Sequence, residues 1–252
     1  METIALAMEK GGVLKTSGTY NLAAIKASEG KKVLMVDMDP QASLTISCGM
    51  GRNYKNKNIS GMLSGDYSPL DCTYTVESLG MENFYIIPSD ISLSKTEIEL
   101  FNMSAREHKL SDGLDEISQY FDYCFIDCPP QLSILSANGL VAADKVLIPC
   151  KTDYLAYMGL QALIDTIHSI QGNKHMNPKL EILGIIATVY EDRVKDQQDV
   201  WELLHEVDGV PFLGTIRKSA DGARSVYKGT PVVISQPKSK VSQDYFEIAS
   251  KI

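Results

Sequence analysis

Short apolar runs alternate with longer amphipathic stretches along most of this chain. Ile4–Met8 and Val33–Val36 are continuous apolar runs of strand length. Runs of this kind, without polar alternation, suit strands covered on both faces. Tyr123–Ile126, Lys145–Pro149, Leu180–Val189 and Pro211–Ile216 read the same way. Between them lie helical patterns. Thr16–Glu29 sets Leu22, Ala23, Ile25 and Ala27 among polar residues. Ala137–Ala143, Tyr157–Ile170 (ended by Gly172), Asp196–Val207 and Val241–Ile252 also read as helices. Ser94–Tyr120 reads as one helix, broken at Asp112-Gly113. Arg52–Asp66 is polar and contains glycine, which reads as a surface excursion. Strands that alternate with helices predict an α/β fold: a doubly wound, mostly parallel sheet with helices on both faces. The length allows one or two domains, and the alternating pattern favours one over residues 1–252; no helix-turn-helix domain is expected ahead of the first strand.

Composition narrows the class. Hydrophobic residues make up 44% of the 252, enough for a conventional core. No apolar run approaches the roughly 18 residues of a membrane span. The N-terminus lacks the basic region and cleavage site of a secretory signal, so a cytoplasmic protein is expected. The five cysteines are odd in number and lack metal-ligand spacing, and they read as small core thiols. The four histidines form no ligand cluster, and no Ser-His-Asp arrangement stands out.

The chemistry starts at Lys10-Gly11-Gly12-Val13-Leu14-Lys15-Thr16-Ser17, between the first strand and the first helix. Strand, glycine-containing loop, Lys-Thr and helix form the context of a P-loop. There, successive backbone N–H groups and the positive helix end gather phosphate oxygens. Lys15 adds a cation at the β/γ-phosphates, and the Thr16 hydroxyl can ligate Mg²⁺. The strict pattern G-x-x-x-x-G-K-[ST] fails, because Glu9 and Leu14 hold the two outer glycine positions.

Two acidic strand ends follow. Val33–Val36 runs into Asp37-Met38-Asp39, and alternation places both carboxylates on one side of an extended chain. Side by side and buried they would repel, so a cation or a lysine nearby is required if both are to ionise. Tyr123–Ile126 ends in Asp127, at the carboxyl edge where open α/β sheets bind ligands. An acid there can hold Mg²⁺ through water.

Net charge is −8, which opposes general nucleic-acid binding, but the distribution is uneven. Between Gly214 and Lys240 stand Arg217, Lys218, Arg224, Lys228, Lys238 and Lys240 against Asp221 alone, a local net of +5. Such a segment can face phosphates within an acidic whole. Arg193 and Lys195 extend it.

Taken together, these segments resemble the ParA/Soj branch of the deviant Walker A ATPases, the partition ATPases related to MinD. KGGVLKTS stands where that family has K-G-G-x-G-K-[ST]-[ST]. VLMVDMDPQASLT is similar to its second motif. FIDCPPQLSILSANGLVAADKVLIPCKTDYLAYMGLQAL is similar to its Walker B strand, switch and following helix, and Ile87-Pro88-Ser89, Leu183-Gly184-Ile185 and Gly229-Thr230-Pro231-Val232 extend the match. The resemblance implies ATP/ADP and Mg²⁺ as cofactors. Residues 10–17 (Lys10, Gly11, Gly12, Val13, Leu14, Lys15, Thr16 and Ser17) would line the phosphates, with Ser17 at the α-phosphate. Adenine would sit near Thr188, Val189 and the strand end at Arg217. Thr16, Asp37 and Asp127 would serve the metal. Asp39 would position the attacking water, and Lys10 would reach across an ATP-dependent homodimer to the partner's nucleotide. The basic segment, with Arg193 and Lys195, would bind DNA without sequence preference. A ParB-like centromere-binding protein would stimulate slow hydrolysis in a nucleoid-associated, cytoplasmic protein.

Leu14 is the main departure, since relatives carry glycine there. A positive φ would cost a leucine about 1–2 kcal/mol. With a negative φ, Leu14 would instead shield the phosphates. Nucleotide binding is expected to survive, and hydrolysis is the step the departure touches. Two other readings stay open: a hydrolysis-poor nucleotide switch, and a MinD-like membrane ATPase. Asp244, Glu247 and the single cation Lys251 in Val241–Ile252 do not suit a membrane helix, so no membrane partner is expected.

Overall fold

The computed structural model describes residues 1–51, 57–222 and 228–252. In chain order the elements are β1 (Glu2–Leu6), α1 (Lys15–Ser28), β2 (Val33–Asp37), α2 (Ser43–Ser47), α3 (Ile59–Ser64), β3 (Tyr74–Thr75), β4 (Phe84–Ile87), α4 (Leu93–Leu100), α5 (Lys109–Ile117), β5 (Tyr123–Asp127), α6 (Ile134–Ala142), β6 (Lys145–Lys151), α7 (Tyr154–Gly172), β7 (Glu181–Tyr190), α8 (Lys195–His205), β8 (Phe212–Arg217), α9 (Val232–Ser235) and α10 (Lys240–Ala249). The strands form one eight-stranded sheet in the order β3-β4-β2-β5-β1-β6-β7-β8. Every pairing is parallel except β3 with β4. The expected α/β architecture is therefore present.

The apolar runs lack polar alternation because both faces of the sheet are covered. Strand alternation sends successive residues to two separate cores. Ala5, Leu34, Val36, Ile126, Val146 and Ile148 face a core closed by α3 to α8. Ile4, Leu6, Val33, Met35, Phe125 and Leu147 face the other, closed by α1, α2, α9 and α10. β1 lies between β5 and β6, so the chain spreads from it in both directions. The carboxyl ends of β1, β2 and β5 meet at that switch, where ligands of such sheets bind.

Three local expectations are corrected. The stretch from Ser94 to Tyr120 is two helices, and the break falls between α4 and α5, at Ala105 (φ 49°), rather than at Gly113. Gly113 sits inside α5 because a Cβ there would lie 2.3 Å from Met62 Cε. In Arg52–Asp66, residues 52–56 lie outside the described residues, but the remainder holds α3, with Ile59 and Leu63 buried. Asn58 starts that helix by accepting from the Ser60 and Gly61 N–H groups. Finally, α7 begins a turn earlier than its pattern indicates and includes Gly172. Tyr154 and Leu155 are 62% and 74% exposed, so the first turn carries no core-facing apolar signal. The Asp153 carboxylate caps it by accepting from Ala156 N–H at 2.9 Å.

Candidate nucleotide site

Residues 7–14 join β1 to α1 and fold back over the carboxyl edge of the sheet. Gly12 (φ 73°) and Leu14 (φ 66°) both take the left-handed conformation. The open question about Leu14 is thereby answered: its φ is positive, at a cost of about 1–2 kcal/mol for a non-glycine residue. Its carbonyl accepts from Gly18 N–H at 2.7 Å, so this strained residue starts α1. The exposed Gly11 and Gly12 have no heavy atom within 4 Å of a hypothetical Cβ, which leaves their outer side open to a ligand.

Lys15 is 7% exposed. Its ammonium donates to the carbonyls of Met8 (2.9 Å) and Lys10 (3.0 Å), and so braces the loop from inside. Burial pulls its pKa down, while the charge of Asp127, then Cys128 and Asp39, pulls it up. A phosphate oxygen at the loop would supply the anionic partner this buried cation favours.

Asp127 pairs in register with Leu6 on one side and Asp37 on the other, so the two acids sit on adjacent strand ends. Thr16 Oγ1 donates to Asp127 Oδ2 at 2.6 Å. Asp127 Oδ1 is buried and has no hydrogen-bond partner among the described residues. Burial holds this carboxyl well above the usual carboxylate range, the Asp37 charge adds to the rise, and the Thr16 hydroxyl and Lys15 oppose it. A divalent cation beside Thr16 would satisfy the orphaned oxygen and reverse the shift. Among the described residues, no group of three or more His, Cys, Asp or Glu is arranged to hold a metal by itself. Mg²⁺ takes one or two protein oxygens and completes its shell with phosphate and water, a share that Thr16 and Asp127 would supply.

Both oxygens of Asp37 are engaged by neighbouring groups. Its Oδ2 accepts from both the N–H and the hydroxyl of Thr45, each at 2.8 Å, and its Oδ1 accepts from Asp39 N–H at 3.1 Å. Burial raises its pKa to about 6 against these hydrogen bonds. Both oxygens are thus occupied in shaping the loop that carries Asp39, and support of a cation by Asp37 would be indirect. Thr45 Oγ1 also accepts from Ser89 N–H, and Ser89 Oγ donates to the Asp39 carbonyl at 2.8 Å. Asp39 itself is half-buried at the mouth of the site. Thr45 and Ser89 lie in segments quoted for the family resemblance, yet the sequence assigns them no role, because that depends on contacts across 44 and 50 positions.

On the other flank, Thr188 Oγ1 donates to the Val13 carbonyl at 3.1 Å and ties β7 to the loop. Beyond this bond lies a cavity of about 360 Å³ lined by Leu14, Ser17, Asn21, Val189, Ile216, Arg217, Val241 and Tyr245, among others. The structure thus brings Leu14, Ser17, Val189 and Arg217 to one cavity, and Thr188 is not among its lining residues. The Arg217 guanidinium is held by both oxygens of Asp244, at 2.7 and 2.6 Å.

Lys10 stands at the lip of the loop and pairs with Asp153, the cap of α7. Lys151 approaches the same carboxylate at 3.4 Å. Asp153 belongs to the quoted KTDY segment, yet nothing in its spacing signals a partner 143 residues away.

The basic segment is less uniform than its charge count. Arg193, Lys195, Lys228, Lys238 and Lys240 are exposed. Arg217 is paired with Asp244, and Lys218 with Glu191 at 2.9 Å. These two reach an anion only by leaving a carboxylate. Arg224 lies outside the described residues.

Fold and site together define a P-loop nucleotide-binding protein of the α/β class. A family model described as an AAA domain, AAA_31, matches residues 1–182. The sporulation initiation inhibitor protein Soj of Bacillus subtilis is 32% identical over 250 residues, which cover 99% of this chain and 97% of that protein. The chromosome partitioning protein ParA of Caulobacter vibrioides is 32% identical over 256 residues, covering 100% and 94%. Among solved structures, a cobyrinic acid a,c-diamide synthase from Mycobacterium smegmatis with bound ADP and magnesium superposes with a TM-score of 0.86. It is 30% identical over 99% of this chain and 93% of that one. The chain belongs to the ParA/Soj/MinD family of P-loop ATPases.

Proposed function

We propose that this protein is a DNA-partition ATPase, one domain over residues 1–252, that binds ATP with Mg²⁺, pairs as a homodimer around the nucleotide and holds DNA without sequence preference. The observation that carries the nucleotide reading is the Thr16–Asp127 hydrogen bond at 2.6 Å, with the second Asp127 oxygen buried and unpartnered beside the phosphate loop. When bound, Mg²⁺ would neutralise phosphate charge and fix the triphosphate's geometry. The chain's own groups supply the rest. Lys15 and the loop N–H groups hold the phosphates. Thr16 and Asp127 receive the cation. Asp39, fixed through Asp37, Thr45 and Ser89, orients water for hydrolysis to ADP and phosphate. Lys10 contributes from the partner as a cation given in trans, after release from Asp153. Dimerisation doubles the basic face, and a ParB-like protein that stimulates hydrolysis returns the protein to a DNA-free monomer in the cytoplasm. The likeness to Soj and ParA along nearly the whole chain supports this reading.

Leu14, held at positive φ, puts a side chain on the phosphate loop where relatives carry glycine, and a hydrolysis-poor switch is the second reading. A MinD-like membrane role has less support. In α10, Val241, Tyr245, Ile248 and Ala249 are buried against the protein, so the apolar face of the terminal helix is already covered.

The test is binding to nonspecific DNA with ATP, ADP or no nucleotide, at two salt concentrations. Binding with ATP alone, weakened steeply by salt, is expected. No binding in any state would remove DNA as the target.

A further inference from the structure

Four described non-glycine residues have positive φ, and two of them, Leu14 (66°) and Val189 (56°), line the same cavity. Left-handed backbone is unusual for leucine and a genuine outlier for a β-branched valine. Such conformations persist where the surroundings over-determine them, and they gather at ligand clamps. Here the constraint is visible. Val13 and Thr188, joined by one buried hydrogen bond, each immediately precede one of the two residues. That bond holds the loop and the end of β7 together and sets Leu14 and Val189 on the walls of the cavity.

The interior of the cavity is chiefly carbon. Its polar side chains are largely engaged elsewhere. Asn21 donates to the Ser17 carbonyl and accepts from Val233 N–H. Ser219 Oγ accepts from Asp221 and Gly222 N–H. Arg217 and Lys218 are in ion pairs. A site of about 360 Å³ lies at the small end of the roughly 300–1,000 Å³ of ligand pockets. It opens beside the phosphate loop, so a ligand spanning both would place phosphates on the loop and a flat, weakly polar group in the cavity.

We propose that Leu14 is an affinity-determining residue that contacts the nucleoside. Its side chain and Val189 form an apolar clamp on the base and ribose, so the leucine supplies a contact that glycine lacks. The proposal rests on the nucleotide-site reading above and is tested separately from it.

The experiment titrates MgADP and magnesium pyrophosphate against wild type, Leu14→Ala and Leu14→Gly, with melting temperatures recorded without ligand. Alanine removes the contact and keeps the strained backbone, whereas glycine removes both. MgADP should weaken by roughly ten- to fiftyfold in both variants, as expected for the three apolar carbons lost with alanine and the four lost with glycine. Pyrophosphate should bind all three proteins alike, because it has no nucleoside. Leu14→Gly should melt above Leu14→Ala, which separates backbone strain from contact. Unchanged or tighter MgADP binding in the variants would overturn the clamp and make Leu14 a bystander or an obstruction. A parallel loss of pyrophosphate would also overturn it, since Leu14 would then act through the shape of the loop. Wild type binding neither ligand would overturn the nucleotide reading itself.

Discussion

The phosphate loop and the basic C-terminal face are both built for anions, yet they are organised in opposite ways. At the loop, charge is buried and interlocked: Lys15 is 7% exposed, Asp127 is 1% exposed, and Thr16, Asp37, Thr45 and Ser89 bond through the interior. At the C-terminal face, the cations among the described residues are exposed and drawn from separate elements, and Arg217 and Lys218 are held by carboxylates. A buried group that loses its partner bears the full desolvation penalty, whereas exposed ion pairs contribute about 0–1 kcal/mol. Single substitutions should therefore be severe at the loop and graded on the face.

The largest effect is expected for Lys15→Ala. ATP binding, measured by titration calorimetry, should fall at least about a hundredfold, because a desolvated cation that meets phosphate is lost. Retained affinity would remove Lys15 from the phosphate site. Next is Lys10→Ala, which should leave nucleotide binding near wild type and abolish the ATP-dependent rise in mass expected of the wild type in light scattering. Asp153→Asn keeps an α7 cap but releases Lys10, so its dimer should form at lower ATP concentration. If neither substitution alters dimerisation, Lys10 has no role in trans.

A smaller effect concerns pH. Asp37 titrates near 6 in the folded chain, above its ordinary value of 3.8, because it is buried. The folded state therefore binds more protons between those values, and stability should fall as pH rises through that window. Asp37→Asn should flatten this part of the profile in urea melts of the nucleotide-free protein, and an unchanged slope would assign the titration to another group. The smallest single effects belong to the face. Charge removal at Lys238 or Lys240 should weaken DNA binding a few-fold and reduce the salt slope by about one. Removal of Lys218, already paired with Glu191, should do less.

The same contrast explains what the chain discloses in sequence. The parallel sheet was legible because its strands are apolar on both faces, and the loop was legible because its parts are contiguous from Lys10 to Ser17. Asp37 and Asp127 were legible as strand-end acids, though not their different hydrogen-bond partners. Thr45 and Ser89 reach Asp37 and Asp39 only after folding. Leu14 was ambiguous because its φ is set by tertiary contacts as much as by its own preference. Gly113 misled because a glycine that admits Met62 has the same letter as one that ends a helix. On the basic face, a charge count cannot register that Asp244 folds back onto Arg217.

The most direct test of the nucleotide seat is the magnesium dependence of ATP binding in wild type and in Thr16→Ala. Wild type should bind one ATP per chain and more tightly with magnesium than with EDTA. Thr16→Ala should retain binding in EDTA and lose most of the magnesium gain. Wild-type affinity that is indifferent to magnesium, or a full magnesium gain without the Thr16 hydroxyl, would contradict the assignment of Thr16 and Asp127 as the cation seat.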